Sequence, residues 1–405
     1  MLSISIGGHL IGDRIKRKRQ ALGLSLQDLA DRLEGLGVRL SRAALSTYET
    51  NKASPNAKTL WGIAKILNTS MDYFVAEDDT KIVLQGFRKK ASLSQTRVEQ
   101  IKAYIHDEIE KRIELDSILG DDALRDLPVQ RVVASPEEAE ELASAHRIAW
   151  NLGDQPISSV TSLLEAKGWY VIQIPNEQDF DGMAGYVESS RRPFAVTRGG
   201  IAVDRIRLNL LHEAGHAYVS GQDDKESEKF AFRFAASLLF PKERVLEEIG
   251  RKRTSVDIEE LLVAKARYGL SMQAIAYRLR DLGVISESLY VMLFRYFNGM
   301  GFRVEEPGSS ELKFEETPMA FRGKVHRAFS EALIPTDDAE RFLPGFRSSL
   351  DSSARLSSVE IKRLLSLSSE ERNKVLEASA QAVLEAYADT DVNISGLADD
   401  IIEHS

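Results

Sequence analysis

The 405-residue chain has no cysteine. That excludes disulfides, thiolate metal sites and cysteine nucleophiles, and it fits a reducing cytoplasm, the expected location. It has no run of 18 or more apolar residues, so neither a membrane span nor a membrane partner is expected. Its opening, MLSISIGGHLIG, has no basic residue before the apolar patch and no small-residue cleavage site, so no signal peptide is expected. Positive charge is missing from one end: after Lys374 there is no Lys or Arg, against seven Asp and Glu. From His9 to Tyr73, eleven Lys and Arg stand against six Asp and Glu. A basic head and an acidic tail predict different partners at the two ends. The length implies two to four domains, each able to bury a core without staples.

Residues 9–76 read as short helices. HLIGDRIKRKRQALG is basic and amphipathic, Ser25 opens SLQDLADRL, Ser41 opens SRAALSTYETN, and Asn56 opens NAKTLWGIAKIL after Pro55. Residues 77–135 read as a helical linker arm. Within it, 92–119 form one long charged helix, with Val98, Ile101, Ile105, Ile109 and Ile113 near helical spacing. Residues 136–300 read as an α+β domain with a small sheet. WYVIQIP, MAGYVES and PFAVTR are its strand candidates, and helices lie before and after them. Residues 301–405 read as a C-terminal helical region with an acidic, loose tail. The fold class expected is multidomain and mainly α, and no internal repeat is present.

The segment LLHEAGHAYVSG carries the chemistry. His212 and His216 are four residues apart, so a helix puts both imidazoles on one face, one turn apart, as two ligands of one tetrahedral metal. Glu213 projects from the same side, where it can orient and deprotonate a water at the metal; this is the H-E-x-x-H logic of zinc proteases. A third ligand is needed, and Val219 and Gln222 occupy the positions where a closely spaced Gly and His would stand. The next helix offers Glu226 and Glu228. Glu228 is preferred because Ala231, Phe232 and Ala235, its helical neighbours, would lie against the core. A His2Glu set suits Zn2+.

LLHEAGHAYVSG followed by ESEKFAFRFAASLLFP resembles the ImmA/IrrE metallopeptidases, from about Pro136 to Pro307. The resemblance implies a zincin-like domain with His212, His216 and Glu228 as zinc ligands and Glu213 as general base. It implies a zinc metalloendopeptidase that cleaves a partner protein, typically a repressor or antitoxin, in stress, mobile-element or toxin–antitoxin control. Residues 9–75 resemble the five-helix Xre-type helix-turn-helix domain of phage-like repressors, in LSLQDLADRL, SRAALSTYETNKASP and LWGIAKILNTSMDYF. Leu26 stands where Gln is frequent in that fold, and EGLGVRL lengthens the turn before the third helix.

A helix beginning at Ser41 would turn Arg42, Ala43, Ser46 and Thr47 toward a major groove, with Ala44, Leu45 and Tyr48 facing the core. Arg39, Lys52 and the run Lys16 to Arg19 would meet phosphates of an operator duplex. A homodimer is expected, since small helix-turn-helix domains read paired half-sites. Tyr186, Tyr268 and Tyr277 are candidates for a second electrophile. Gly185–Glu188 and Pro193–Thr197 could offer an edge to an extended substrate. His146 and His326 read as packed or surface histidines. The alternative to an enzyme is a non-catalytic DNA-binding antitoxin whose acidic C-terminal region holds a basic toxin.

Overall fold

A computed structural model describes residues 11–75, 80–89, 93–121, 128–175, 177, 179–303, 305–352 and 374. The acidic tail and the toxin-binding reading attached to it lie outside the described residues. The chain divides into two units, Met1–Lys324 and Val325–Ser405.

The first unit begins with five helices: α1 (Ile11–Ala21), α2 (Leu26–Gly35), α3 (Arg42–Glu49), α4 (Ala57–Ile66) and α5 (Met71–Val75). Their starts follow from the expected caps. Ser25 and Asp28 form a reciprocal capping box, Ser41 accepts from the Ala44 amide at 3.2 Å, and Asn56 accepts from the Thr59 amide at 2.9 Å. Ile15, Leu29, Leu33, Leu45, Ile63 and Phe74 make their core.

Next come β1 (Ile82–Lys89), α6 (Gln95–Leu119), β2 (Arg131–Val132), α7 (Pro136–Ala149), α8 (Val160–Ala166), β3 (Tyr170–Ile174), β4 (Phe180–Val187) and β5 (Pro193–Arg198). They lead to α9 (Val203–Tyr218), β6 (Val219–Ser220) and α10 (Asp224–Leu239). The helices α11 (Lys242–Glu248), α12 (Ile258–Tyr268), α13 (Met272–Asp281) and α14 (Glu287–Gly299) close the domain. The sheet order is β1-β4-β5-β3, with β4 antiparallel to both neighbours and β3 parallel to β5.

Strand alternation explains why the sheet is apolar on both faces. Val171 and Ala195 point into the cluster that holds Leu210, Leu211 and Ala214 of α9. Tyr170, Ile172, Phe194 and Val196 point the other way, onto Ile101, Ile105 and Ile109 of α6. The segment expected to be a linker arm is therefore one wall of the domain core. It also supplies β1, a strand the sequence reading did not place.

The expected boundary at residue 300 moves as well. Residues 301–324 stay with the first unit, because buried Lys265 pairs with Glu306 at 3.0 Å and buried Arg207 with Glu316 at 2.6 Å. The helix α15 (Ala320–Ser330) spans the division. The second unit continues with α16 (Thr336–Phe342) and α17 (Phe346–Ser352), and Val325, Ala328, Phe342 and Phe346 are buried in it.

Candidate functional site

The motif helix α9 is buried nearly all round: His212 and Glu213 are inaccessible and His216 almost so. α10 returns against it after a turn capped by Asp223, whose side chain accepts from the Glu226 amide at 2.8 Å. Gly215 makes the close approach feasible, since an added Cβ would sit 3.2 Å from the Ala231 carbonyl oxygen. Its role is therefore helix packing across to α10.

Three side chains converge there. His212 Nε2 lies 3.2 Å from Glu228 Oε2, His216 Nε2 lies 3.4 Å from Glu228 Oε1, and the two Nε2 atoms are 3.2 Å apart. Ligands about 2.0–2.1 Å from a tetrahedral ion stand roughly 3.4 Å from one another, so these spacings fit a zinc-sized centre. Hydrogen bonds from His212 and then His216 hold the Glu228 carboxyl well below the usual carboxylate range, against a weaker opposing effect of burial. Glu228 thus stays anionic, the form that ligates a cation. Glu226, the competing choice, is used in the turn: its Oε2 accepts from the Gln222 amide at 3.0 Å.

Sequence reasoning missed three neighbours of this cluster. Gln130 donates to the His216 carbonyl at 2.6 Å, and the Phe232 ring lies 4.1 Å from the His212 ring. Phe232 therefore packs over a site histidine, whereas Ala231 and Ala235 enter the core as expected. Gly182 of β4 lies so close to Glu213 that an added Cβ would be 2.7 Å from its Oε1 and 2.9 Å from its Cγ. A glycine inside an apolar strand is a signal of such an approach.

The three tyrosines have other settings. The Tyr268 hydroxyl donates to Glu248 at 2.6 Å, Tyr277 lies beside Arg280, and Tyr186 lies beneath Arg191. His146 donates to the Leu142 carbonyl among Trp150, Tyr218 and Phe234, and the His326 ring lies tilted against Phe346 at 4.9 Å. Both are packed histidines.

On α3, Arg42 and Ala43 are exposed, Ser46 and Thr47 are partly so, and Leu45 is buried. The Thr47 hydroxyl donates back to the Ala43 carbonyl. Arg39 and Lys52 are exposed on either side of this helix. The basic run on α1 behaves differently from expectation. Only Lys16 is exposed; Lys18 pairs with Asp107 of α6, Arg17 with Glu110 at 3.5 Å, and Arg19 bidentately with Glu49. Charge used in buried pairs is withdrawn from phosphate contact.

A family model described as "Helix-turn-helix" matches residues 15–74, and one described as "IrrE N-terminal-like domain", a peptidase family, matches residues 202–280. The chain is 31% identical over 81 residues to the uncharacterized HTH-type transcriptional regulator YqaE of Bacillus subtilis (strain 168). That alignment covers 20% of this chain and 66% of the relative, just short of two thirds of its length. The chain thus joins an Xre-type helix-turn-helix domain to a metallopeptidase-type domain of the IrrE/ImmA kind. The chain is multidomain and mainly α. No helix among the described residues is long and apolar enough to cross a membrane.

Proposed function

We propose that the protein is a cytoplasmic DNA-binding regulator whose second domain is a zinc-dependent endopeptidase acting on a partner regulatory protein. The observation that carries this reading is the convergence of His212, His216 and Glu228 beside the buried Glu213. Zinc held by these three would supply a Lewis acid that polarises a carbonyl and lowers the pKa of a water to about 7. Glu213 takes the proton of the attacking water and returns it to the leaving amine nitrogen. Its burial among β4 and α9 keeps the carboxylate in one place. Gln130 and Phe232 fix His216 and His212 from the outside.

Operator binding falls to Arg42, Ala43, Ser46 and Thr47 in the groove, with Arg39 and Lys52 on phosphates, in a homodimer. The acidic sequence after Lys374 suits a basic partner such as a toxin, and this is the basis of the non-catalytic antitoxin alternative.

Metal content by mass spectrometry tests the centre. The wild type should carry about one zinc per chain, Glu228→Ala should lose most of it, and Glu226→Ala should keep it. A wild type that takes up no zinc when supplied would sink the enzyme. Loss of cleavage in Glu213→Gln, with zinc retained, would then assign the base.

A further inference from the structure

The sheet edge beside Glu213 is filled by the chain itself. Gly182 pairs on one side with Thr197 of β5 and on the other with Arg88 of β1. An extended peptide brought along β4 to Glu213 must take the second side, because the first lies inside the sheet. Neighbouring strands stand about 4.8 Å apart, so the backbone at Arg88 is one strand spacing from the backbone that touches the base. The edge anticipated from Gly185–Glu188 is thus already covered.

β1 pairs less regularly than its neighbour. Its register slips at Leu84/Gly86 and again at Arg88/Lys89, whereas Gly182–Tyr186 pair with Pro193–Thr197 without a slip. Ile82 anchors its start in the core, and Gln85 is exposed. Charge clips together the elements that bracket it in sequence. Lys18 and Arg17 of the helix-turn-helix domain pair with Asp107 and Glu110 of α6, and His106 donates to the Thr80 carbonyl at 2.6 Å.

We propose that residues 82–89 occupy the β4 edge, Gly182–Val187, as an intramolecular stand-in for the extended polypeptide that a zincin-like domain takes antiparallel on such an edge. An exposed strand edge recruits such segments through main-chain hydrogen bonds. A substrate must displace β1, and loosening the clip between α1 and α6 frees the stretch on which β1 is strung. This rests on the reading of Glu213 as the general base.

The test uses full-length chains and a fluorescein-labelled synthetic peptide, IVLQGFRK, followed by anisotropy. Val83→Pro removes a ladder donor and opens the edge. Val83→Cys with Tyr186→Cys locks it: these residues are partners in the ladder, facing Cα atoms about 5.5 Å apart suit a disulfide, and no other cysteine can mispair. An edge filled nine-tenths of the time weakens an incoming strand about tenfold. The Val83→Pro chain should therefore bind about tenfold more tightly than the wild type. The oxidised cysteine pair should bind less than the wild type and recover on reduction. Equal binding by all forms overturns the proposal. So does an intact mass showing that the zinc-loaded wild type cuts itself within 82–89, since β1 would then be a substrate. If Val83→Pro fails to fold by circular dichroism, the oxidised and reduced cysteine pair decides alone, and equality between them overturns the proposal. Peptide binding needs no zinc, so metal content on the same samples separates a failed metal centre from a failed edge.

Discussion

Replacing Glu316 with Ala should destabilise the first unit sharply, through the helix that carries the histidines. Arg207 lies one turn and a half before His212 on α9 and is fully buried. It donates to Glu316 Oε1 at 2.6 Å and to the Ile157 carbonyl at 2.6 Å. The same carboxylate caps α8, accepting from the Val160 amide at 2.9 Å and the Thr161 amide at 2.7 Å. Removing one partner of a buried pair costs about 3–5 kcal/mol, because the other charge stays buried. Losing the cap adds about 1 kcal/mol. Unfolding entropy of about 2.1 cal/mol/K per residue, over roughly 245 residues of this domain with β1 and α6 included, is ~0.5 kcal/mol/K, so the melting temperature should fall on the order of 8–12 °C. Scanning calorimetry reads this directly. Arg207→Met with Glu316→Leu should melt above Glu316→Ala, since no charge is orphaned. A fall below about 3 °C for Glu316→Ala, or a double variant less stable than the single, would refute the reasoning.

Gly182→Ala would force Glu213 aside by about 1 Å, and cleavage should drop roughly a hundredfold while zinc content holds; unchanged turnover would show that the base has room to move. Burial pushes the Glu140 carboxyl up, but Arg278 and Arg233 outweigh it and hold it down to about 2. Its contribution, about 3 kcal/mol, is therefore complete above pH ~4.5 and lost as the pH falls toward 2. Glu140→Gln should be less stable at neutral pH and show a flatter acid limb in thermal melts; parallel limbs would contradict this. Arg39→Ala and Lys52→Ala should each lower the slope of log affinity against log salt for duplex DNA by about one, and Lys18→Ala should leave it unchanged. An equal loss with Lys18→Ala would return α1 to the interface.

What was legible in the sequence was local. Ser25, Ser41 and Asn56 mark helix starts because a cap needs only residues three apart. The four-residue spacing of His212 and His216 implies a shared face wherever the helix lies, and the three distances with Glu228 come from the turn between two adjacent helices. What was not legible depends on partners far along the chain. β1 finds β4 about a hundred residues later, and its Gly86 and two slips blur the period of two that would mark a strand. Arg17 and Lys18 read as phosphate contacts because nothing nearby announces Asp107 and Glu110. Glu316 sits in a stretch that reads as part of the C-terminal helical region, and only the buried Arg207, 109 positions away, ties it to the peptidase-type domain.

The burial of α6 beneath the sheet bears on how such a protein can be recombined. Exchange of the helix-turn-helix head for another, with a joint anywhere in 95–119, would cut through a wall of the peptidase-type domain. A joint before residue 80 spares that wall but passes on Asp107 and Glu110, which need a Lys and an Arg at the right places on the incoming first helix. The inheritable module is therefore larger than the stretch that matches the peptidase family, and new heads are filtered by charge before anything else.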